Sequence, residues 1–395
     1  MKQSRAASAA PRQAADGTWW FVVDVGVGAD GQRRQTRRRG FRTKKLAQEE
    51  LDKVRRTVTQ TRYVPPARET FGEYLDRWLA GLPTRLRPST CDGYRRCLQY
   101  VTPGLRSRRL DHVTADNLDQ LYAALLVSGR RQREGGLSPR SVRYVHSVIR
   151  KALADAVRKG ALARNVADSA SPPLAKSTRA PEMAWWKPRE LRTFLDQTAG
   201  EPLGPLFRVA AMTGMRRGEV CGIRWSDLDL DKARIQVRQQ LNVVRSPGAP
   251  DGGLVFSERT KTDRGRRVVD LDPGTVAVLK ARRRQQAEHR LAVGAGWANE
   301  HDLVFTEADG RPLDPESVSQ VFNRRVARSG LPRIRFHDLR HTHCAHLIEA
   351  GEQLLLITRR LGHASVAFTQ DRYGHLFEEA GSQAASAVAA MVDHA

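Results

Sequence analysis

The sequence predicts a multidomain, mainly α protein: a small β-sheet-plus-helix unit, a helical bundle, and a mixed α+β domain. Three observations predict it. Aromatic and β-branched residues fill 19–25, and a turn ending at Gly31 precedes a second extended run. After Pro65-Pro66 the apolar positions fall at helical spacing. A Ser- and Pro-rich stretch from Ser169 to Pro181 then opens a last region in which helical and β-rich runs follow one another.

Residues 1–14, rich in Ala, Ser and Arg, read as a disordered basic lead. From 15 to 64, the run Trp19-Trp20-Phe21-Val22-Val23-Asp24-Val25, the turn, and a run ending near Phe41 predict a small sheet. Leu46, Leu51 and Val54 predict one short helix packed on it. Arg33, Arg34, Arg37, Arg38, Arg39, Arg42, Lys44 and Lys45 stand together with no acid among them. Such a run can be a solvated strand face, but its density in so basic a chain favours contact with DNA.

The block 68–168 reads as a bundle of about four helices. Phe71, Tyr74, Leu75, Trp78 and Leu79 define one, and Leu118, Leu121, Tyr122 and Leu125 another behind a Thr114 cap. The clearest helix begins at Ser138-Pro139, an N-cap followed by proline at the first helical position. It carries Val142, Val145, Val148, Ile149, Ala152, Leu153 and Ala156 on one face and stops at Gly160. Its outward charges, Arg140, Arg143, Arg150, Lys151 and Arg158, can follow a DNA backbone or serve as a solubilising face. Residues 169–182 read as an exposed linker.

From 183 to 380 the pattern is mixed. A helix ending at Thr213-Gly214 leads into another near Arg216, and β-rich runs follow at Ile235–Val244, Gly253–Thr260 and Arg266–Leu271. Helices broken by loops continue from Pro273, and a last helix over 381–395 carries the apolar stripe Ala384, Ala385, Val388, Met391 and Val392.

Composition narrows the function classes. A formal net charge of +24 over 395 residues and a sequence pI of about 10.8 call for a polyanionic partner, nucleic acid first. No uninterrupted apolar run is long enough to cross a bilayer, and Met1-Lys2-Gln3-Ser4-Arg5 opens no apolar signal segment, so no membrane role and a cytoplasmic location are expected. Cys91, Cys97, Cys221 and Cys344 show no C-x-x-C pairing and read as reduced, mostly buried thiols.

The chemistry-bearing residues cluster late in the chain. His337-Asp338-Leu339-Arg340-His341 and Leu361-Gly362-His363 offer cationic and imidazole donors, and Tyr373 follows in Asp371-Arg372-Tyr373-Gly374-His375. Such donors can stabilise a phosphodiester under attack by a tyrosine without any metal or cofactor. A phenol with a pKa near 10 needs help to ionise. His337 can accept its proton while Arg216, Arg340 and His363 hold the phosphate oxygens. Taken alone, however, Tyr373 can equally be a packed helix residue.

Arg216 follows a helix-terminating glycine, where a phosphate is favoured, or it pairs with Glu219 one turn on. Lys261, in Thr260-Lys261-Thr262-Asp263-Arg264-Gly265, should sit on a hairpin tip between β runs. There it is either a proton donor to a leaving alkoxide or an ordinary surface lysine, with Arg259, Arg264, Arg266 and Arg267 expected on phosphates. His337 and His341 also have zinc-peptidase spacing, with His343, Cys344 and His346 nearby, but Arg340 and the overall positive charge oppose a metal.

Taken in order, Thr213–Glu219, Lys261-Thr262, His337–Thr342, Leu361–His363 and Asp371–Gly374 resemble the tyrosine recombinase family, specifically phage-type integrases. The resemblance implies that Arg216 and Arg340 are catalytic arginines, Lys261 the hairpin acid, His337 and His363 supporting histidines, and Tyr373 the nucleophile. Glu219 and His341 fall into supporting positions. It further implies an arm-type DNA-binding domain over 15–64, a core-type DNA-binding domain over 68–168 and a recombinase catalytic domain over 183–380. Substrates would be double-stranded DNA attachment sites of a phage or mobile element, bound by a homotetramer with the final helix packed on a neighbouring or its own subunit. An excisionase and a host DNA-bending protein are possible partners. Type IB topoisomerase-like strand relaxation, a catalytically silent DNA-binding regulator and a zinc hydrolase are the alternatives.

Overall fold

The computed structural model describes residues 10–27, 33–60, 69–131, 133–174, 184–245, 253–258, 267–363, 365–367, 369–370 and 373. The chain divides into two compact units, Met1–Ala180 and Pro181–Ala395. No helix among the described residues is long and apolar enough to cross a membrane.

The first unit opens with a three-stranded antiparallel sheet of β1 (Arg12–Gln13), β2 (Trp19–Val27) and β3 (Arg33–Phe41), with β2 central. Residues 12 and 13, placed in the basic lead by their composition, pair with Trp20 and Trp19 and are therefore strand. Helix α1 (Lys44–Gln60) buries Ala47, Leu51 and Val54 with Phe21 and Val23 of the sheet. Leu46, expected on this buried face, is 49% exposed, because the inward stripe runs through Ala47 instead.

The bundle follows, with α2 (Phe71–Ala80), α3 (Pro88–Leu98), the short α4 (Pro103–Arg106), α5 (Ala115–Ser128) and α6 (Pro139–Arg158). Thr114 and Ser138 cap helices as the sequence predicts, and Thr70 adds an unpredicted cap. Thr70 and Thr114 each complete a capping box, and the Ser138 hydroxyl accepts from the Ser141 amide ahead of Pro139. Val142, Val145, Val148, Ile149, Ala152 and Leu153 of α6 lie in one apolar cluster with Phe71, Tyr74, Leu118 and Tyr122. Each Val, Ile, Leu or Phe side chain among them contributes roughly 1.5–3 kcal/mol by leaving water.

The second unit contains α7 (Pro188–Thr198), α8 (Gly204–Thr213), α9 (Arg217–Cys221), α10 (Pro273–Val293), α11 (Pro315–Arg328), α12 (Asp338–Glu349) and α13 (Leu354–Leu361). Strands β4 (Leu228–Asp229), β5 (Arg234–Val237) and β8 (Arg267–Asp270) form one antiparallel sheet, and β6 (Gln239–Val243) pairs with β7 (Leu254–Glu258). Trp186, Phe194, Phe207, Phe322 and Phe336 interlock in its core at centroid spacings of 4.9–6.3 Å. A smaller cluster of Cys344, Ile348, Ile357, Leu361 and Tyr373 joins α12 to α13. All four cysteines are buried free thiols.

Candidate active site

The site is built where two helices end. α8 closes on Gly214 at φ +61° and α13 on Gly362 at φ +66°, both left-handed, so each exposes its last carbonyls. Those carbonyls hold arginines. Arg340 donates from Nη1 to Gly214 O at 2.7 Å and from Nη2 to Leu361 O at 2.7 Å. Arg216 donates to Gly362 O at 3.1 Å and Arg267 to Arg360 O at 2.7 Å. The negative ends of two helix dipoles thus seat cations that would otherwise repel one another. A Cβ at Gly214 would stand 2.6 Å from Leu361 Cδ2 and 2.7 Å from the His343 ring, so this close approach requires glycine as well as the left-handed turn does.

Glu219 ties the cluster together from below. It is 1% exposed; its Oε1 accepts from Arg216 Nη1 at 3.0 Å, and its Oε2 accepts from Arg267 Nη2 at 2.8 Å and from the Arg216 amide at 2.9 Å. Pairing of Arg216 with Glu219 and a role for Arg216 in phosphate binding are therefore compatible, since the carboxylate orients a guanidinium that stays about one-third exposed. Arg267 is a correction. Expected on a phosphate, it is 6% exposed and saturated by Glu219 and a carbonyl. The period-two pattern of Arg267, Val268 and Val269 carries the signal: Val268 is 52% exposed and Val269 1%, so Arg267 shares the inward face.

Arg340 is 3% exposed, and burial first, then the Arg216 charge, brings its pKa down to about 9. It remains a cation at neutral pH. Tyr373 is among the groups that act electrostatically on Arg340, favouring its charged form.

The start of α12 is pinned by Arg335, whose guanidinium forks onto Asp338 at 3.0 and 2.8 Å. Burial alone would raise the Asp338 carboxyl, but the fork and the Arg335 amide hold it below its ordinary value. His337, the residue before this helix, keeps an exposed edge. Protein packed around its ring, and then Arg340, lower its pKa, so it is neutral at pH 7. His363 is buried and bonded through Nδ1 to Thr369 Oγ1 at 2.8 Å, with Thr358 Oγ1 3.0 Å further along. If the Thr369 hydroxyl donates to Nδ1, Nε2 carries the proton, the tautomer that can donate to a phosphate. Burial pushes the His363 pKa down to about 3.

Tyr373 is 2% exposed, and its hydroxyl lies 2.5 Å from His341 Nδ1. His337, expected to take its proton, is not the histidine in contact. The sequence put His341 only in a supporting place, although i to i+4 spacing sets it one turn deeper on the same face as His337. The other histidines have separate structural duties. His343 Nε2 accepts from Arg360 Nε at 3.1 Å, and His346 Nε2 bonds Trp186 O at 2.9 Å. Among the described residues no three His, Cys, Asp or Glu side chains are grouped to hold a metal ion.

The expected DNA-contacting residues divide. Arg37 is exposed over the Trp20 ring at 4.0 Å, Lys44 lies 5.8 Å from the Trp19 ring centroid, and Arg39, Arg42 and Lys45 are exposed. Arg38 is half-buried, and Arg33 and Arg34 lie in β3 opposite Val27 and Gly26. Arg140 is exposed, whereas Arg143 is bound to Pro173 O at 2.7 Å, Arg150 to Asp168 at 2.6 Å and Lys151 to Tyr94 at 2.8 Å. Lys261, Arg259, Arg264, Arg266, Asp371, Arg372, Gly374 and the final helix lie outside the described residues.

Comparison with known proteins points one way. Residues 189–380 match the phage integrase family and residues 12–58 an arm DNA-binding domain. The chain is 28% identical to the ICEBs1 integrase of Bacillus subtilis over 90% of its own length and 93% of that protein. It is 24% identical to a tyrosine recombinase XerC-like protein of Caldanaerobacter subterraneus over 91% and 93%. Among solved structures, the Tn1549 transposon integrase in complex with a circular intermediate DNA superposes with a TM-score of 0.63 at 19% identity, over 77% of this chain and 95% of that one. A lambda integrase dimer bound to a core site superposes with a TM-score of 0.53 at 18% identity, over 76% and 97%.

Proposed function

The chain belongs to the phage integrase family of tyrosine recombinases, enzymes that break and rejoin DNA, and we propose that Tyr373 is its nucleophile and Arg216 and Arg340 its phosphate clamp. It is a site-specific DNA recombinase of the kind that integrates mobile elements. The observation that carries the assignment of residues is the seating of Arg340 and Arg216 on three carbonyls at the ends of two helices, with Tyr373 packed in the cluster that joins α12 to α13. Arg216 and Arg267 share the buried carboxylate of Glu219, while Arg340 is bonded to backbone carbonyls, so cations outnumber the carboxylate there and the site has the sign of charge that a phosphodiester requires.

In this reading the guanidinium groups, with His337 and His363, bear the charge that grows on the phosphate oxygens. The Tyr373 oxygen attacks phosphorus, a 3′-phosphotyrosine forms, and the 5′-oxygen leaves with a proton from Lys261. The 5′-hydroxyl of a partner strand then attacks the phosphotyrosine and releases the phenol. One phosphoester replaces another in each step, so no nucleotide hydrolysis is needed. The DNA substrate is a duplex attachment site, and a multimer on DNA fits lambda integrase, solved as a tetramer bound to a Holliday junction. We assign Arg37, Arg39, Arg42, Lys44 and Lys45 around the first sheet, and Arg140 on the bundle, to DNA. Partnership with an excisionase and a host DNA-bending protein belongs to the same proposal.

The test is incubation in EDTA with a nicked duplex from the chain's own attachment region. Wild type should form an adduct stable to SDS and lost on proteolysis, and Tyr373→Phe should form none. An adduct with Tyr373→Phe would overturn the assignment of the nucleophile. Salt-sensitive binding by wild type without any adduct would favour a silent DNA-binding protein.

A further inference from the structure

We propose that His341 is a catalytic residue, the base that takes the proton from Tyr373 when the phosphotyrosine bond forms. The inference rests on the reading of Tyr373 as nucleophile. Three observations carry it. The first is reach: His341 Nδ1 is 2.5 Å from the Tyr373 oxygen, within the distance a general base requires. The second is seclusion. Tyr373 is 2% exposed and His341 5%, so bulk water has almost no access to the phenolic proton and the acceptor must be a protein group.

The third is the nature of the other neighbours. Cys344 lies beside Tyr373 in the same cluster, but burial pushes its thiol up to about 12, so it is a neutral thiol rather than a thiolate base at neutral pH. Arg340 is a cation that stabilises the phenolate and cannot receive the proton. His337 meets His341 rather than Tyr373 among the ring contacts, edge to face at 5.1 Å. Of these described neighbours, His341 is the one able to accept the proton at the oxygen. Among the described residues, the charged and titratable groups near His341 include His337, Asp338, Arg340 and Cys344 on and beside its own helix, Tyr373, and His363 beyond α13. Asp338 lies close enough for its charge to be coupled to that of His341, and it favours the imidazolium that the transfer creates.

An imidazole with a reference pKa of about 6.5 cannot fully deprotonate a phenol near 10 before reaction, so the proton must move as the bond forms. In cleavage the Oη–H bond breaks and the proton passes to Nδ1, the Oη–P bond forms, and the P–O5′ bond breaks with its electron pair on the leaving oxygen. In resealing the 5′-oxygen attacks phosphorus and the Oη–P bond breaks. The His341 imidazolium then returns its proton to Oη. One group therefore serves both directions.

The experiment measures single-turnover adduct formation from pH 5.5 to 9 on the nicked attachment-region duplex, with wild type, Tyr373→Phe, His341→Gln and His341→Phe, and with trifluorotyrosine incorporated at 373. An adduct from wild type and none from Tyr373→Phe establishes the reading on which the inference rests; no adduct from wild type would overturn both. Both His341 variants should cleave at least roughly 10²-fold more slowly at neutral pH, the usual scale of general-base assistance. His341→Gln preserves a hydrogen-bonding side chain yet accepts no proton, so a structural role would spare it. Their rates should rise with pH throughout, without the plateau that a histidine base gives. The more acidic trifluorotyrosine ionises without assistance and should restore most of the lost rate in the His341 variants, while changing wild type little. Rates for His341→Gln within about threefold of wild type, or a slow variant that trifluorotyrosine fails to rescue while salt-sensitive DNA binding is retained, would overturn the proposal.

Discussion

Helices α6 and α12 invert each other's logic. Along α6 the buried positions are almost all apolar, Val142, Val145, Val148, Ile149, Ala152, Leu153 and Ala156, with Asp155 the polar exception. Along α12 every residue from Asp338 to Ala345 is buried, and that run includes an arginine, two histidines, a threonine and an aspartate. One helix derives its stability from a single apolar stripe, and the other has protein on all sides and must pair every charge it hides. A helix whose buried face is polar is costly to build, and here that cost coincides with the proposed chemistry.

The sharpest way to break this contrast is Arg340→Lys. A lysine keeps the charge but cannot reach two carbonyls and a phosphate with a planar fork. Adduct formation should fall roughly 10³-fold, the scale of removing one fixed donor from developing charge. DNA affinity, measured by filter binding across a salt series, should change only a few-fold. Equal loss of binding and cleavage would show that Arg340 serves the fold or the DNA contact instead.

Second is Glu219→Gln. It leaves Arg216 and the 6%-exposed Arg267 without their carboxylate, and breaking a buried pair from one side costs about 3 kcal/mol or more. The second unit should lose protection in hydrogen exchange around α9 and β8, while peptides from α6 keep theirs. Unchanged protection would mean that the dipole ends of α8 and α13 alone suffice to hold the arginines.

The same contrast explains what the sequence could reveal. Ser138-Pro139, the Thr114 cap and the α6 stripe are local signals, and each corresponds to a helix end or a buried face in the structure. The proposed site residues Arg216, His337, Arg340, His363 and Tyr373 come from motif order, which is a resemblance rather than a periodicity. Two things were not legible. Arg267 looked like one more cation in a basic loop, because the carboxylate that claims it is 48 residues upstream. The choice between His337 and His341 depends on how Tyr373 approaches α12, and the His341–Tyr373 contact spans 32 residues and a helix-to-helix packing that no local pattern encodes. Leu46 failed for the opposite reason: its local spacing fitted a helix, but the sheet beneath selected Ala47.

Acid provides a third, smaller test. Burial pushes both His343 and His363 down to about 3 in the folded state. Unfolded histidine titrates near 6.5, so between these values the unfolded chain binds more protons than the folded one. The stability each neutral histidine preserves is complete above about pH 6.5 and is lost as pH falls toward 3, about 2 kcal/mol per histidine by pH 5. His146 in the bundle is also lowered, chiefly by burial, but it is only partly covered, so the same sign applies with less force. Hydrogen exchange at pH 7.5 and 5, corrected for intrinsic rates, should show α12 losing protection before α6. Parallel loss in both helices would break the distinction between polar and apolar burial.

The smallest effect concerns the acid that α6 does bury. Asp155 pairs with Arg158 and, at 2.9 Å, with Lys159, as Glu219 pairs with two arginines, so a count of ion pairs would rank the two sites alike. Their partners differ. Arg158 and Lys159 are 63% and 56% exposed, hence screened by water and free to find other company when the carboxylate goes. Asp155→Asn should therefore cost less than about 1 kcal/mol, the range of exposed pairs, and the loss should shrink further in 0.5 M salt. Urea unfolding of the full chain, followed through exchange in α6, measures it. A cost near that of Glu219→Gln would mean that burial of the carboxylate alone, rather than burial of its cationic partners, decides what an ion pair contributes in this protein.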